Sequence, residues 1–275
     1  MALDLSTAPP TSALAPPRPR RALPAGIRGI IGFAVFLGIL EILPRTGIVN
    51  PEYLPPTSEI ALALVQQLLA VTFWSALGQT LLGWMLGLLI ALVAACVLGT
   101  LTGSVPLLRE LTHSTIEFLR PIPSVALIPL VTLLFGTSMR STLVLVVYAT
   151  IWPLLVQIIH GIQDVDPVAK DTARSYRFSP LRRTATVVWP SALPYAMTGF
   201  RLAAAIALIL EVSGELIIGS PGIGQRIGVA QSSGAVPAMY ALIVVTGILG
   251  VLMNLLTRRL EKRALHWHVA IRKDL

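Results

Sequence analysis

Charge is scarce in this chain. Only 12% of its 275 residues are Asp, Glu, Lys or Arg, about half the share that a soluble globular domain carries. Lysine is scarcer still. Lys170, Lys262 and Lys273 are the only ones and none follows a glycine, which excludes the Gly-x-x-x-x-Gly-Lys-Ser/Thr loop that cradles nucleotide phosphates. The single cysteine, Cys96, excludes an intrachain disulfide and, set in an apolar run, reads as a small packed residue. No Ser, His and Asp set has the spacing of a catalytic triad, so covalent and acid–base catalysis have no candidate residues. His266 and His268 flank Trp267 with no third ligand nearby, which suits an aromatic anchor at a membrane surface better than a metal site.

What the chain has is apolar length. Hydrophobic residues make up 55% of it, and the mean hydropathy is +0.78. Several runs reach the roughly twenty residues that cross a bilayer. They are continuously apolar, without the alternation of a barrel strand, and lipid leaves helices as the other way to satisfy the backbone. The chain therefore reads as an all-α polytopic membrane protein with six spans, near residues 28–43, 76–98, 116–135, 142–159, 195–218 and 238–256. The Pro- and Arg-rich residues 1–27 are expected to form a disordered cytoplasmic tail, residues 28–260 the transmembrane domain, and residues 261–275 a basic cytoplasmic tail. Between the first two spans, "PPTSEIALALVQQLL" predicts an interfacial helix with Thr57 or Ser58 as N-cap and an apolar stripe at Ile60, Leu64 and Leu68.

The sign of the charges fixes the orientation. With both termini cytoplasmic, the inner segments hold Arg18, Arg20, Arg21 and Arg28, then Arg109 and Arg120, then Lys170, Arg174, Arg177, Arg182 and Arg183, then the C-terminal cluster from Arg258 to Lys273. The outside holds only Arg45, Arg140 and Arg226. This is the positive-inside pattern, so the net charge of +8 reports topology and argues against a nucleic-acid partner.

One inner segment, about residues 161–193, is far more charged than its surroundings: "DTARSYRFSPLRRTATVVWPSALP". A plain solvated connection is one reading. Against it, acids precede bases as a short helix prefers, Asp166 and Pro167 fit an N-cap and first helical position, and Phe178, Ser179 and Pro180 read as a stop. The second half is expected to return to the membrane at Pro190 and Pro194, leaving a short helix on the cytoplasmic face with Ala169, Ala173, Tyr176 and Phe178 open to a partner.

This stretch resembles the EAA loop of ABC importer permeases, whose pattern is Glu-Ala-Ala, three residues, Gly, nine residues, Ile, one residue, Leu-Pro. Asp171, Thr172 and Ala173 stand at the Glu-Ala-Ala positions, Arg177 at the Gly, Val187 at the Ile, Trp189 at the Leu and Pro190 at the Pro. Arg177 is the largest departure, because that position ordinarily makes a tight helix-breaking turn. "YLPPTSEIALAL", "EFLRPIPSVALIPLVTLLFG" and "SGELIIGSPGIGQRI" resemble the nitrate, taurine and aliphatic-sulfonate branch. The resemblance implies a type I importer transmembrane domain in a bacterial inner membrane. Its implied partners are two ATP-binding subunits, a second permease copy or paralogue, and an extracytoplasmic solute-binding protein. ATP and Mg2+ would be used by the partner ATPase, with no cofactor on this chain. Lys170, Arg174 and the apolar residues named above would join Asp171, Thr172, Arg177 and Pro190 in contacting that ATPase. A neutral or aromatic solute, or a secondary carrier or channel, is the alternative.

Within the spans, Glu211 and Glu215 share one face of the fifth, and a carboxylate at that depth needs a polar cavity or a partner. Glu215 also matches an acidic position of the family. Both are candidate pathway residues, with solvation of Glu215 at the outer interface as the other reading. Pro121 and Pro123 should kink the third span and can free carbonyls toward the pathway. Gly222 and Gly224 in "PGIGQRIG" follow no strand and read as a turn.

Overall fold

The computed structural model describes residues 25–266; the outer parts of both expected tails, with Trp267 and His268, lie outside the described residues. All regular structure among these residues is helical. Four helices are long and apolar enough to cross a membrane: α1 (Ala25–Arg45), α3 (Val71–Ser104), α6 (Met139–Gln163) and α11 (Val236–Ala264), with α2 (Thr57–Leu69) between the first pair. Two bent pairs bring the spans to six when each pair counts as one. The first joins α4 (Pro106–Leu119) to a short 3-10 turn and α5 (Ile128–Phe135), the second joins α9 (Trp189–Ile218) to α10 (Ile223–Ser232), and α7 (Pro167–Ser175) and α8 (Pro180–Arg183) lie between α6 and α9.

The third span differs most from the expected single helix over residues 116–135. Its two halves meet at 82°. Pro121 and Pro123 lack N–H groups, so two rungs of the helical ladder are missing within three residues, and the kink becomes a break. The reverse happens at Pro190 and Pro194, where the expected re-entry turn is absent. Helical structure runs from Pro180 to Ile218 because a π turn at Thr184–Val188 absorbs the fault: Trp189 N–H donates to the carbonyl of Thr184, five residues back.

α6 is the centre of the bundle, packed between α3 and α9. Its Val146, Leu154 and Ile158 are fully buried in one core with Ala91 and Ala95 of α3 and Ala192, Ala203 and Ala207 of α9, and its Leu145 in a second with Val131 and Ile218. Such small residues let helices approach closely where lipid gives no hydrophobic driving force between them. A Cβ on Gly87 or Gly99 of α3 would collide with Val146 or Ile158. Trp84 Nε1 adds a hydrogen bond from α3 to the Ala204 carbonyl of α9, at 2.9 Å.

α2 is tied to the bundle's outer end. Arg226 of α10 donates to Gln67 at 2.6 Å and Thr72 at 2.8 Å. Its N-cap position is Pro56, so neither Thr57 nor Ser58 caps it as the sequence suggests. The Glu41 carboxylate of α1 does so from outside, accepting from Ser58 N–H at 2.9 Å and the Thr57 hydroxyl at 2.7 Å. Apart from this tie α1 stands nearly free of the bundle.

Candidate functional site

The short helix α7 is built by local chemistry at both ends. Asp166 Oδ1 accepts from Val168 N–H at 2.8 Å, and Pro167 takes the first helical position, where no N–H is needed. At the other end Phe178 N–H reaches the Ala173 carbonyl (3.0 Å) and Arg177 N–H the Arg174 carbonyl (2.8 Å). These paired bonds are a Schellman motif, which needs a left-handed residue at the position Arg177 fills. Arg177 has φ +53°, the one positive-φ residue other than glycine among those described. The tight turn therefore persists although the glycine is gone, at a backbone cost of about 1–2 kcal/mol.

The helix is braced to the bundle. Lys170 Nζ donates to the Ile162 carbonyl near the end of α6, at 3.1 Å, and the Tyr195 hydroxyl of α9 donates to Asp164 at 2.5 Å. Asp171 and Arg174 form a 2.9 Å ion pair on the exposed side. Ala173 is only 5% exposed, at the floor of a surface hollow of about 400 Å³ that Val168, Ala169, Tyr176, Phe178 and Val187 also line. Tyr176 is 75% exposed, and Val168 and Leu181, which sequence did not single out, extend its apolar surface. Ala169 and Phe178 are half-buried, with Arg182 stacked over the Phe178 ring at 4.3 Å. Thr172 bonds the Val168 carbonyl within the helix, and Pro190 is exposed just past the π turn.

Pro121 and Pro123 meet in a cavity of about 400 Å³ at the break, with Ser124, Tyr148 and Trp152. A second cavity of about 900 Å³ extends from it along α4 toward the basic end of α6, bounded by Arg109, His113, His160 and Gln163. Arg120 borders both. Charge counting places Arg120 in a cytoplasmic loop; the structure sets it at the C-cap of α4, beside the middle of α6. Its adjacency to Pro-x-Pro in an otherwise apolar stretch is the sequence signal for this position.

Glu211 and Glu215 are not brought to these cavities. They are 2% and 1% exposed, inside the bundle, which also leaves Glu215 unsolvated. Thr80 Oγ1 donates to the two Glu215 oxygens at 2.7 and 2.9 Å, and Gly224 N–H donates at 2.8 Å. Thr80 itself accepts from Ile223 N–H at 2.9 Å, so one carboxylate joins α3 and α9 to the start of α10. A Cβ on Gly222 would overlap this carboxylate, and one on Gly224 the Val212 carbonyl. The glycines thus serve as a close-packed turn. Glu211 lies over Gly83 of α3, and its Oε2 is buried without a hydrogen-bond partner.

A six-span helical bundle with broken spans and a braced cytoplasmic helix is the transmembrane subunit of a transporter. The chain belongs to the family of binding-protein-dependent transport system inner membrane components, which matches residues 87–266. It is 28% identical over 240 residues to the taurine transport system permease protein TauC of Escherichia coli (strain K12), covering 86% of this chain and 87% of that one. It is 27% identical over 250 residues to the putative aliphatic sulfonates transport permease protein SsuC of Bacillus subtilis (strain 168), covering 91% of each. In fold it is similar to a chain of the MetNI methionine ABC transporter in inward-facing conformations, with a TM-score of 0.60 and 17% identity over 70% of this chain and 96% of that one. The architecture is that of a type I ABC importer transmembrane domain.

Proposed function

We propose that this chain lines half of the pathway of an ATP-driven importer for a small organosulfonate, zwitterionic like taurine or anionic like an alkanesulfonate. A solute-binding protein delivers the solute from outside, and a second permease copy completes the pathway. Two ATP-binding subunits, which bind ATP and Mg2+ for the complex, dock against α7. The observation that carries this reading is the construction of α7: capped at Asp166, locked by the turn at Arg177, and tied through Lys170 to the end of α6, which the Asp164–Tyr195 bond in turn ties to α9. A helix held to the end of one span, which is itself bonded to a second, passes a push on its exposed face to the pair, which is what alternating access by rigid-body rocking requires. Tyr176 and Val168 offer the apolar contact, and Asp171 and Arg174 the polar rim.

The sulfonate reading draws on the two relatives named above and on charge. Among the described residues the only carboxylate bordering the two cavities is Glu117, which faces His113 at 3.6 Å, whereas Arg109 and Arg120 both border the larger one. Glu211 and Glu215 would repel an anion from the pathway lining, but both are packed away from these cavities.

The test is ATP hydrolysis by the complex purified with its partners, in lipid, with binding protein and a panel of taurine, alkanesulfonates, nitrate and neutral aromatic solutes. Stimulation by sulfonates is expected. Stimulation by a neutral solute alone would overturn the substrate, and absence of any co-purifying ATPase would favour a secondary carrier. Asp171→Lys should uncouple hydrolysis from uptake while leaving the membrane domain folded, and preserved coupling would remove α7 from its role.

A further inference from the structure

We infer that Arg120 and Trp152 form an anion-receiving subsite at the break of the third span, where the oxyanion head of the solute rests between outer delivery and inner release. This rests on the importer reading above and assigns it an address. Two polar groups there lack protein partners. Among the described residues no hydrogen bond or ion pair engages the Arg120 guanidinium, and the Trp152 indole N–H is buried with no acceptor. A buried donor left unpaired is costly, and a cation exposed on the open side of a cavity within a membrane bundle marks a solute path or an aqueous cavity.

The geometry supports a built site. Both residues border the same cavity of about 400 Å³, a size suited to a small solute. Tyr148 fixes the arrangement: its hydroxyl donates to the Leu119 carbonyl at 2.7 Å, beside Arg120, and its ring meets Trp152 edge-on at 5.6 Å. No carboxylate borders this cavity, so the guanidinium is not neutralised from the protein side. Ile206 and Leu210 of α9 form an apolar wall against which a short alkyl chain fits. Arg120 also borders the cavity of about 900 Å³ that leads along Arg109 and His160, so an anion leaving the subsite meets further cationic or donor groups. The ligand class is a sulfonate-type head group, carrying one negative charge, on a short carbon chain. The same chemistry could come from an anionic lipid headgroup, and we commit to the solute because the smaller cavity, open on its Arg120 and Pro121 side, lies beside the centre of α6, half a span away from either headgroup layer.

The experiment uses the full complex with its ATPase and binding protein, reconstituted in phosphatidylcholine vesicles with and without phosphatidylglycerol, and reads taurine or alkanesulfonate moved per ATP hydrolysed. Arg120→Gln should lower that ratio at least about tenfold, Trp152→Phe about threefold, and Arg120→Lys should restore most of it. A general packing defect would lower hydrolysis and uptake together and leave the ratio unchanged. An unchanged ratio in Arg120→Gln, or in Trp152→Phe should the arginine variant not assemble, would overturn the subsite while wild-type sulfonate uptake kept the importer reading intact. A wild-type complex that moves no oxyanion would overturn the importer's substrate first. An effect of Arg120→Gln confined to vesicles with phosphatidylglycerol would assign the site to lipid and overturn it as a solute subsite.

Discussion

Glu211 and Glu215 stand one turn apart on the same face of α9, are about equally buried, and have opposite surroundings. Glu215 is met by a hydroxyl and a backbone N–H and joins three helices, while Glu211 rests on a bare glycine with one oxygen unpartnered. Depth and exposure do not separate them; donors do. A buried carboxylate whose acceptors are filled is part of the frame, and one whose acceptors are empty is carried at a cost.

The largest break in this comparison should come from Glu215→Ala. It strands Gly224 N–H without an acceptor, leaves Thr80 only its longer bond to the Ala76 carbonyl, and should cost about 3 kcal/mol, read as a lowered unfolding midpoint of the detergent-solubilised complex. Gly83→Ala comes next. Its Cβ would overlap the Glu211 carboxylate, which predicts a loss of about 1–3 kcal/mol from overpacking, recovered when Glu211→Ala is made in the same chain. Lack of recovery would mean the two residues do not meet. Glu211→Gln should be neutral to stabilising by up to about 2 kcal/mol, the opposite sign to Glu215→Ala, in the same unfolding measurement. The smallest effect belongs to the cytoplasmic joint. Arg177→Gly relieves the left-handed strain and should stabilise α7 locally by up to about 1 kcal/mol, visible as slower hydrogen exchange over residues 167–180.

How far these sites are legible in the sequence follows from where each determinant lies. α7 begins at Pro167 after Asp166 because a cap is a local signal, readable within a few residues. The N-terminus of α2 is not readable in this way, because its cap is a carboxylate on another helix sixteen and seventeen residues away. Proline signals mislead in both directions. Pro121 and Pro123 break a span expected only to kink, and Pro190 is bridged by a π turn that no local pattern announces. The family spacing identifies the joint, yet Arg177 at the glycine position leaves its geometry open until φ is known. Arg120 is hidden by the rule that orients the chain: counting basic residues by loop assigns it to the cytoplasm, whereas the break brings it beside Trp152. Depth in a broken helix is a tertiary property.

The π turn at Thr184–Val188 also sets a phase. It holds one residue more than an α-helical turn would, so every side chain of α9 beyond it, Tyr195 and Glu211 included, is offset by about 100° from the position dictated by a plain helix begun at Pro180. Deleting a single residue there would let the turn close as an ordinary α turn with every later side chain kept in its present phase, whereas straightening the turn with all its residues retained would re-index the whole span against its neighbours, as a gear is re-indexed by one tooth.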